Sequence, residues 1–504
     1  MADTKREIER KYEGPAASEA AVPPDLSGVP GVADVIDKGI TRLDATYYDT
    51  ADQRLAADSL TLRRRTGGDD AGWHLKLPVA DGVRDEIHAP LSETVPDRLT
   101  ALARSRIRDA ELVALVRLAT SRHVHELVDG EGSPLAEVSL DRVRAERLHG
   151  GADTAEWTEI EIELADGQDP AFLDKAGKHL RKAGLHRSAS PSKLAKALAE
   201  TGSRTKPRKH EHAEPVTAGD HVLAYLRAQR HAVIELDPAV RLDAPDSVHR
   251  MRVATRRMRS TFRSFGNVLD RAVTTPVAVE LKWLAGELGV DRDHEVLTER
   301  FTEALDALPR PLLSGPVRNR LRAWSTARGG DSRRRLLAVL DSKRYLDLLA
   351  ALDRLLAEPP LREAAAAKPH KVLAAAVRKD FEKVAALVEH ALDLPSGGDR
   401  DVAMHEARKK AKRTRYAAEA ATPALGKPAK ALTKAVKSLQ NLLGEHQDSV
   451  MARESLRELA DQAHAAGEST FTFGVLYGRE EQRAAVAEAG LPGTWKKVGK
   501  RAAL

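Results

Sequence analysis

The side-chain period of this chain changes once, near residue 218, and that change limits the possible folds more than any other feature. Before it, short runs alternate polar and apolar between Gly, Pro and Asp: Glu7 to Lys11, Leu60 to Arg65, Trp73 to Leu77, Val83 to His88, His123 to Val128, Ala136 to Val143 and Trp157 to Leu164. Successive strand side chains point to opposite faces, so a period of two predicts strands. One helix is expected from Pro170 to Ala183, with Pro170 in its first turn. From Ala218 onward Ala, Leu, Arg and Glu dominate, and apolar residues recur at three and four. That predicts a set of helices punctuated at Pro309 to Pro316, Pro359 to Pro369 and Pro395 to Gly398. Residues 201–217 (TGSRTKPRKHEHAEPVT) follow no period and read as a linker.

A chain of 504 residues exceeds what one core supports, in keeping with two modules. It has no cysteine, which excludes disulfides, thiolate metal sites and cysteine nucleophiles. The start, MADTKREIERK, lacks the apolar stretch of a signal peptide, and no run of about 18 apolar residues offers a membrane span. A cytoplasmic location is therefore expected, with no membrane partner. Net charge is only +6, but 81 Lys and Arg are present and they cluster. Clustered positive charge points to a polyanionic partner.

The helical half repeats itself. Val248-His249-Arg250-Met251-Arg252 opens one helix and Met404-His405-Glu406-Ala407-Arg408 another; each is followed downstream by a Leu-Gly pair and an Asp, first Leu288, Gly289 and Asp293, then Leu443, Gly444 and Asp448. Two related bundles made by duplication are expected. At about 100° per residue, His249, Arg252, Arg256, Arg259 and Arg263 fall in one narrow stripe, with Met251, Thr255, Met258 and Phe262 on the neighbouring core face. His405, Arg408, Lys412 and Arg415 repeat the stripe. Like charges one turn apart repel by a few tenths of a kcal/mol per pair, so the doubled arrangement calls for an anion. A solvated charged face is the bland alternative, and the duplicated His with so few acidic partners counts against it. Nucleic acid fits less well than a linear phosphate polymer: no aromatics interleave with the cations, and aromatics total 4%.

These residues, His249-x-x-Arg252-x-x-x-Arg256-Arg257-x-Arg259, Leu288-Gly289-x-x-Arg292-Asp293, His405-x-x-Arg408-Lys409-x-x-Lys412-x-x-Arg415-Tyr416 and Gln440 to Asp448, resemble the CHAD domain over roughly 216–495. The resemblance implies two four-helix bundles with a basic pocket for inorganic polyphosphate, and association with polyphosphate granules. The second copy has Glu445-His446-Gln447 where the first has Val290-Asp291-Arg292, so the pocket is expected to be lopsided.

In the strand half, Glu7, Glu9 and Lys11 share one face, as do Glu159, Glu161 and Glu163. Two carboxylate rows in one site repel unless a cation lies between them, and oxygen ligands select a hard ion, Mg²⁺ or Mn²⁺. Cations recur at period two as well: Arg63 with Arg65, His74 with Lys76, Arg84 beside Glu86, with Arg117 and Arg122 as additions. A sheet curled into a barrel would bring these rows into one lumen, the layout that metal-assisted phosphoryl transfer needs. A solvent-facing strand edge explains one Glu-x-Glu, but not two with three basic pairs.

Glu7-Ile-Glu9-Arg-Lys11, Tyr48-Asp49-Thr50, Leu62-Arg63-x-Arg65, Trp73-x-Leu75-Lys76, Asp141, Glu159-x-Glu161-x-Glu163 and Ser192-Lys193 resemble the CYTH superfamily of triphosphate tunnel enzymes over about 3–200. The resemblance implies an eight-stranded tunnel that hydrolyses a triphosphate with one or two divalent ions. It places Glu7, Glu9 and Lys11 at the catalytic centre. Metal falls to Glu7, Glu9, Asp141 and Glu159 or Glu161, with the member of that row left open. Phosphate falls to Lys11, Arg63, Arg65, Lys76, Arg84, Arg122 and Lys193. Trp73, Trp157 and Tyr416 read as packing, and His210 and His212 as incidental.

The expected whole is a multi-domain α+β chain. An antiparallel eight-stranded β tunnel with a few helices spans 3–200. The linker of 201–217 follows, and an all-α domain of two duplicated four-helix bundles spans 218–495, with repeats at about 218–357 and 370–495. The expected function is Mg²⁺- or Mn²⁺-dependent hydrolysis of inorganic tripolyphosphate with a polyphosphate-binding module. The alternatives are a non-catalytic polyphosphate scaffold or a tunnel enzyme for thiamine triphosphate, a nucleoside triphosphate or ATP cyclisation.

Overall fold

The structure, a computed structural model, describes residues 4–14, 25–202, 214–289, 292–329 and 332–501; within 292–295 and 327–329 it describes the backbone only. Most of the expected linker, including His210 and His212, lies outside the described residues. The chain divides into two compact units, Met1–Glu211 and His212–Leu504. No helix among the described residues is long and apolar enough to cross a membrane.

The first unit contains β1 (Thr4–Glu13), β2 (Asp34–Thr50), α1 (Arg54–Ala57), β3 (Thr61–Thr66), β4 (Gly72–Ala80), β5 (Val83–Ala89), α2 (Asp97–Ile107), β6 (Leu112–Val128), β7 (Pro134–Arg147), β8 (Thr154–Leu164), α3 (Ala171–Lys182), β9 (His186–Arg187) and α4 (Lys193–Glu200). The strands hydrogen-bond in the order β5-β4-β3-β2-β6-β7-β8-β1, and β1 also pairs with β5. That last pairing closes an antiparallel barrel of eight strands, to which the two-residue β9 adds on β1.

Around Asp141 and Glu161 the barrel is polar inside and apolar outside. Val138 and Leu140 of β7 and Ile160 and Ile162 of β8 face outward, where Phe172, Leu173, Ala176 and Leu180 of α3 cover them. The alternate residues, Ser139 and Asp141, Glu159 and Glu161, therefore point inward, because the strand period is two. Further along the inner face, Ala45, Leu118, Val143 and Ala145 are apolar, and Leu194, Ala197 and Leu198 of α4 pack on them. Helix α4 thus closes the lumen at that end. Its first turn is capped by Ser192, whose Oγ accepts from Ala195 N at 3.0 Å.

Strand β1 changes partner midway. Residues Thr4 to Ile8 pair with β5, and Glu9 to Tyr12 pair with β8. At the switch Glu9 N donates to Gly82 O at 2.9 Å. Gly82 has φ 70, and a Cβ there would meet Glu9 O at 2.8 Å, so the hairpin tip needs glycine on both counts.

The second unit is helical: α5 (Ala218–Arg241), α6 (Ser247–Ser264), α7 (Arg271–Glu287), α8 (Arg292–Asp306), α9 (Val317–Gly329), α10 (Ser332–Asp341), α11 (Lys343–Ala357), α12 (Pro369–Asp393), α13 (Gly398–Leu425), α14 (Lys427–Ala465) and α15 (Phe471–Gly499). A capping box starts it: Thr217 Oγ1 accepts from Asp220 N at 3.2 Å, and Asp220 Oδ2 accepts from Thr217 N at 2.8 Å. The breaks between α8 and α9, α11 and α12, and α12 and α13 coincide with the three Pro-marked punctuations. Both His-led segments form helices of matching order, α6 and α13. The core spans both repeats: Met251, Met258 and Phe262 of α6 share it with Met404, Ala407 and Ala411 of α13. A smaller core joins α8 and α9 to α14 and α15 through Phe301, Trp324, Leu456 and Phe473. The copies differ at their Leu-Gly pairs: α7 ends just before Leu288, whereas α14 runs unbroken through Leu443 and Gly444.

Candidate functional sites

The barrel encloses a cavity of about 1000 Å³. Glu7, Glu9, Lys11, Arg63, Arg65, Lys76, Arg84, Arg122 and Glu161 line it, as the alternation predicts, and Lys193 enters it from the start of α4. The partner switch of β1 sorts them into two groups.

The first group centres on Asp141, Glu159 and Glu161. Register puts Asp141 opposite Glu159 and Arg122, and Glu161 opposite Lys11. The three carboxylates are buried, each with an oxygen within 4.8 Å of the others. Lys193 Nζ sits among them, 2.9 Å from Asp141, 2.7 Å from Glu159 and 2.6 Å from Glu161. Arg122 donates to Asp141 from Nε at 2.8 Å and from Nη2 at 2.7 Å, and to Glu161 at 2.8 Å. Lys11 pairs with Glu161 and lies 3.5 Å from Glu9. Burial pushes these carboxyls up, but the cations outweigh it: Lys193 and Arg122 hold Asp141 below the usual range, Lys11, Lys193 and Arg122 hold Glu161 well below it, and Lys11 lowers Glu9. Burial opposes the charge on Lys193 too, yet its three carboxylates keep its pKa well above normal.

The second group centres on Glu7 and Glu86. Lys76 Nζ is 2.5 Å from Glu7 Oε2 and 3.6 Å from Glu86 Oε1. Glu86 also faces Arg63 at 3.4 Å and His74 Nδ1 at 3.0 Å, while His74 Nε2 lies 2.9 Å from Asp70 O. Burial, only partly offset by Lys76, pushes the Glu7 carboxyl up to about 7, and the neighbouring Glu86 adds to the rise. Glu86 goes the other way, well below the usual range, because Lys76, His74 and Arg63 overcome its burial.

Several expectations change in detail. The five carboxylates expected around metal divide: Asp141, Glu159 and Glu161 come together, Glu9 joins them through Lys11, and Glu7 belongs to the other group. Glu163 stands apart, 2.6 Å from Lys5. Arg117 points outward and binds Asp44 at 2.5 Å, being out of phase with Arg122 on the same strand. Arg65 is buried against Asp70, and Arg84 donates to Pro191 O at 2.5 Å. Glu86 and His74 emerge as site residues that the sequence marked only as members of alternating pairs. Trp73 is fully buried, and Trp157 donates from Nε1 to Glu159 Oε2 at 2.7 Å.

In the helical unit, α6 and α13 lie side by side and bring their stripes together. Lys412 is surrounded by Arg408, Arg256 and Arg252, with Asp448 as the acid. Burial first, then these arginines, pull its pKa down to about 7. Arg259 is half-buried beside Arg263 and Arg256, and its Nε has no hydrogen-bond partner among the described residues. Arg263 is exposed. His405 Nδ1 lies 2.5 Å from Gln447 Oε1, and Arg408 lies 3.5 Å from Asp448. His249 is half-buried on the first stripe. Arg415 is less available, held by Gln440 at 2.8 Å and Glu419 at 2.8 Å and stacked on Tyr416. Tyr416 is buried, as expected. The side chains of Arg292 and Asp293 lie outside the described residues.

The sequence matches two known families, one after the other. The CYTH domain family matches residues 5–198 and the CHAD domain family residues 224–457. An uncharacterized protein of Mycobacterium tuberculosis is 38% identical over 509 residues, covering 98% of this chain and 96% of that relative. Among solved structures, PptA from Streptomyces chartreusis is 22% identical, covering 56% of this chain and 99% of its own, with a TM-score of 0.47. The CHAD domain from the plant Ricinus communis is 23% identical, covering 56% of this chain and 92% of its own, with a TM-score of 0.45.

Proposed function

The chain belongs to the proteins in which a CYTH domain is followed by a CHAD domain, and from that premise we propose that its tunnel hydrolyses inorganic tripolyphosphate while its helical unit binds inorganic polyphosphate. One observation carries the reading: buried carboxylates and cations interleave on the inner walls of a closed barrel. Such a lumen recognises a chain of phosphates by charge. The phenol of Tyr47, 3.5 Å from Arg63, is engaged in that charge network and not set out as a stacking platform.

The donor set of Asp141, Glu159 and Glu161, all oxygen and all buried, fits a hard divalent ion, Mg²⁺ or Mn²⁺. When bound, such an ion neutralises phosphoryl oxygens and lowers the pKa of a water. The chain's own residues do the rest. Lys11, Arg122 and Lys193, each now shared among carboxylates, are the donors that hold phosphate oxygens. Arg63, Arg65, Lys76 and Arg84 extend the same clamp along the lumen. Glu7, poised near neutrality beside Lys76, is suited to give or take a proton. Glu9 holds Lys11 in line.

The test is phosphate release from tripolyphosphate, ATP, thiamine triphosphate and long-chain polyphosphate, each with Mg²⁺, Mn²⁺ or chelator. Tripolyphosphate turnover that chelator stops is expected. No turnover with either ion would remove the enzymatic reading and leave the scaffold. A specific feature favours that scaffold as second reading: the Lys193 ammonium already stands among the three carboxylates.

The helical unit offers Arg252, Arg256, Arg259, Arg263, Arg408 and Lys412, with His249 and His405, as one basic surface for polyphosphate. Placement at polyphosphate granules in the cytoplasm follows from that reading, and retention on immobilised polyphosphate tests it.

A further inference from the structure

We propose that Asp401, His446 and Glu488 form a site for one first-row divalent cation, Zn²⁺ in the first instance, inside the helical unit. The three residues come from three helices: Asp401 from the first turn of α13, His446 from the middle of α14 and Glu488 from α15. Their ligand atoms lie within 4.8 Å of one another. A single nitrogen, His446 Nε2, faces both acids, 3.1 Å from Asp401 Oδ1 and 3.4 Å from Glu488 Oε1. The ring is fully buried, and neither of its nitrogens makes a hydrogen bond among the described residues. An imidazole is costly to bury in that state.

The two nitrogen–oxygen distances are what a shared ion produces. Two donors each about 2.1 Å from one ion, in tetrahedral or octahedral array, stand roughly 3.0–3.4 Å apart. The far oxygens are held from outside. Asp401 Oδ2 lies 3.5 Å from Arg453, while Glu488 Oε2 accepts from Ser396 Oγ at 2.6 Å and lies 3.4 Å from Arg400. Outer partners that aim one oxygen of each carboxylate inward are a regular feature of metal sites. One nitrogen with two oxygens selects a borderline ion over Mg²⁺, and three protein ligands leave one position open. Arg400 and Arg453 already balance the two acids, so coordination through nitrogen, more than net charge, sets the selectivity.

The site lies beside the basic surface. Asp401 is one turn before His405, and His446 adjoins Gln447, which holds His405. A cation there would lock the turns of α13 and α14 that form one edge of that surface.

The experiment measures bound Zn²⁺ per full-length chain by equilibrium dialysis and elemental analysis, with visible absorption of Co²⁺ as a second readout. Wild type should bind one equivalent more than His446→Gln or Glu488→Gln. Glu161→Gln, altered in the tunnel, should keep that equivalent, so the outcome is separate from the tunnel's assignment. Strong four-coordinate Co²⁺ bands should appear in wild type and Glu161→Gln and vanish in His446→Gln. The half-buried Glu488 gives the variant that tolerates change if His446→Gln fails to fold. Equal Zn²⁺ in wild type and both variants would overturn the site and leave His446 as a packing contact between two carboxylates.

Discussion

The guanidinium of Arg252 lies directly against Gly289: a Cβ on that glycine would meet Arg252 Cζ at 2.8 Å. The second copy repeats the arrangement more loosely, with Arg408 Nη2 at 3.5 Å from a Cβ on Gly444. In the first copy the pairing accounts for the glycine: the backbone just past α7 must be bare for Arg252 to lie flat, whereas the second copy has room for a methyl group.

Gly289→Ala should therefore push Arg252 aside without unfolding the chain, because the clashing atoms are the end of a flexible side chain. Polyphosphate affinity should fall about fivefold, the equivalent of roughly 1 kcal/mol of lost charge contact. Gly444→Ala makes an ordinary contact and should bind as wild type does. Titration against a medium-length polyphosphate checks both, and equal affinity for all three proteins would refute the pairing's role.

Lys193 stands among the three acids proposed to hold the metal, and its removal tests that proposal. Lys193→Ala leaves Asp141 and Glu161 with the cations Arg122 and Lys11, and Glu159 with the Trp157 hydrogen bond. Breaking a buried network of this kind costs about 3–5 kcal/mol, so the melting temperature should drop by several degrees in chelator. Mn²⁺ should then raise the variant's melting temperature more than wild type's. An equal response in both would show that the three acids do not receive the ion.

The two periods made both architectures legible, because burial demands one-sided patterns in strands and helices alike. Inside the tunnel, alternation placed Glu7, Glu9, Arg63 and Lys76 on the inner face correctly. It could not show that β1 changes partner at Glu9, since that depends on the Gly82 tip from a distant hairpin. Hence the sequence presents the five carboxylates as one set and does not separate Glu7. Arg117 and Arg122 occupy an odd and an even position of one strand, so they face opposite ways. Glu86 needed its partners Lys76, Arg63 and His74 to stand out, and register supplies those.

Lys412 should make polyphosphate binding pH-dependent. Its pKa in the folded chain, about 7, is below the ordinary 10.5. Between those values the unfolded chain binds more protons, so stability rises with pH while the amine on the folded protein loses its charge. A polyanion restores the proton, and affinity should weaken by up to roughly tenfold per pH unit above neutrality. Lys412→Arg stays charged throughout and should flatten the profile between pH 7.5 and 9. Parallel profiles for the two proteins would remove Lys412 as the cause.

Glu7 shifts in the opposite sense, and the sign of its effect is fixed by that. Its carboxyl titrates near 7 when folded against 4.5 ordinarily, so the folded tunnel favours the protonated form. That stabilisation is complete below 4.5 and is lost as pH rises through about 7, amounting to roughly 3 kcal/mol. Glu7→Gln mimics the protonated group at every pH. Urea midpoints in chelator should therefore converge for the two proteins near pH 4.5 and separate by pH 8, with the Gln variant the more stable. The same variant cannot move a proton, so tripolyphosphate turnover should fall about a hundredfold or more. Midpoints that stay parallel from pH 4.5 to 8 would mean that Glu7 titrates as an ordinary carboxyl and has no reserve of proton affinity for Lys76 and Glu86 to tune.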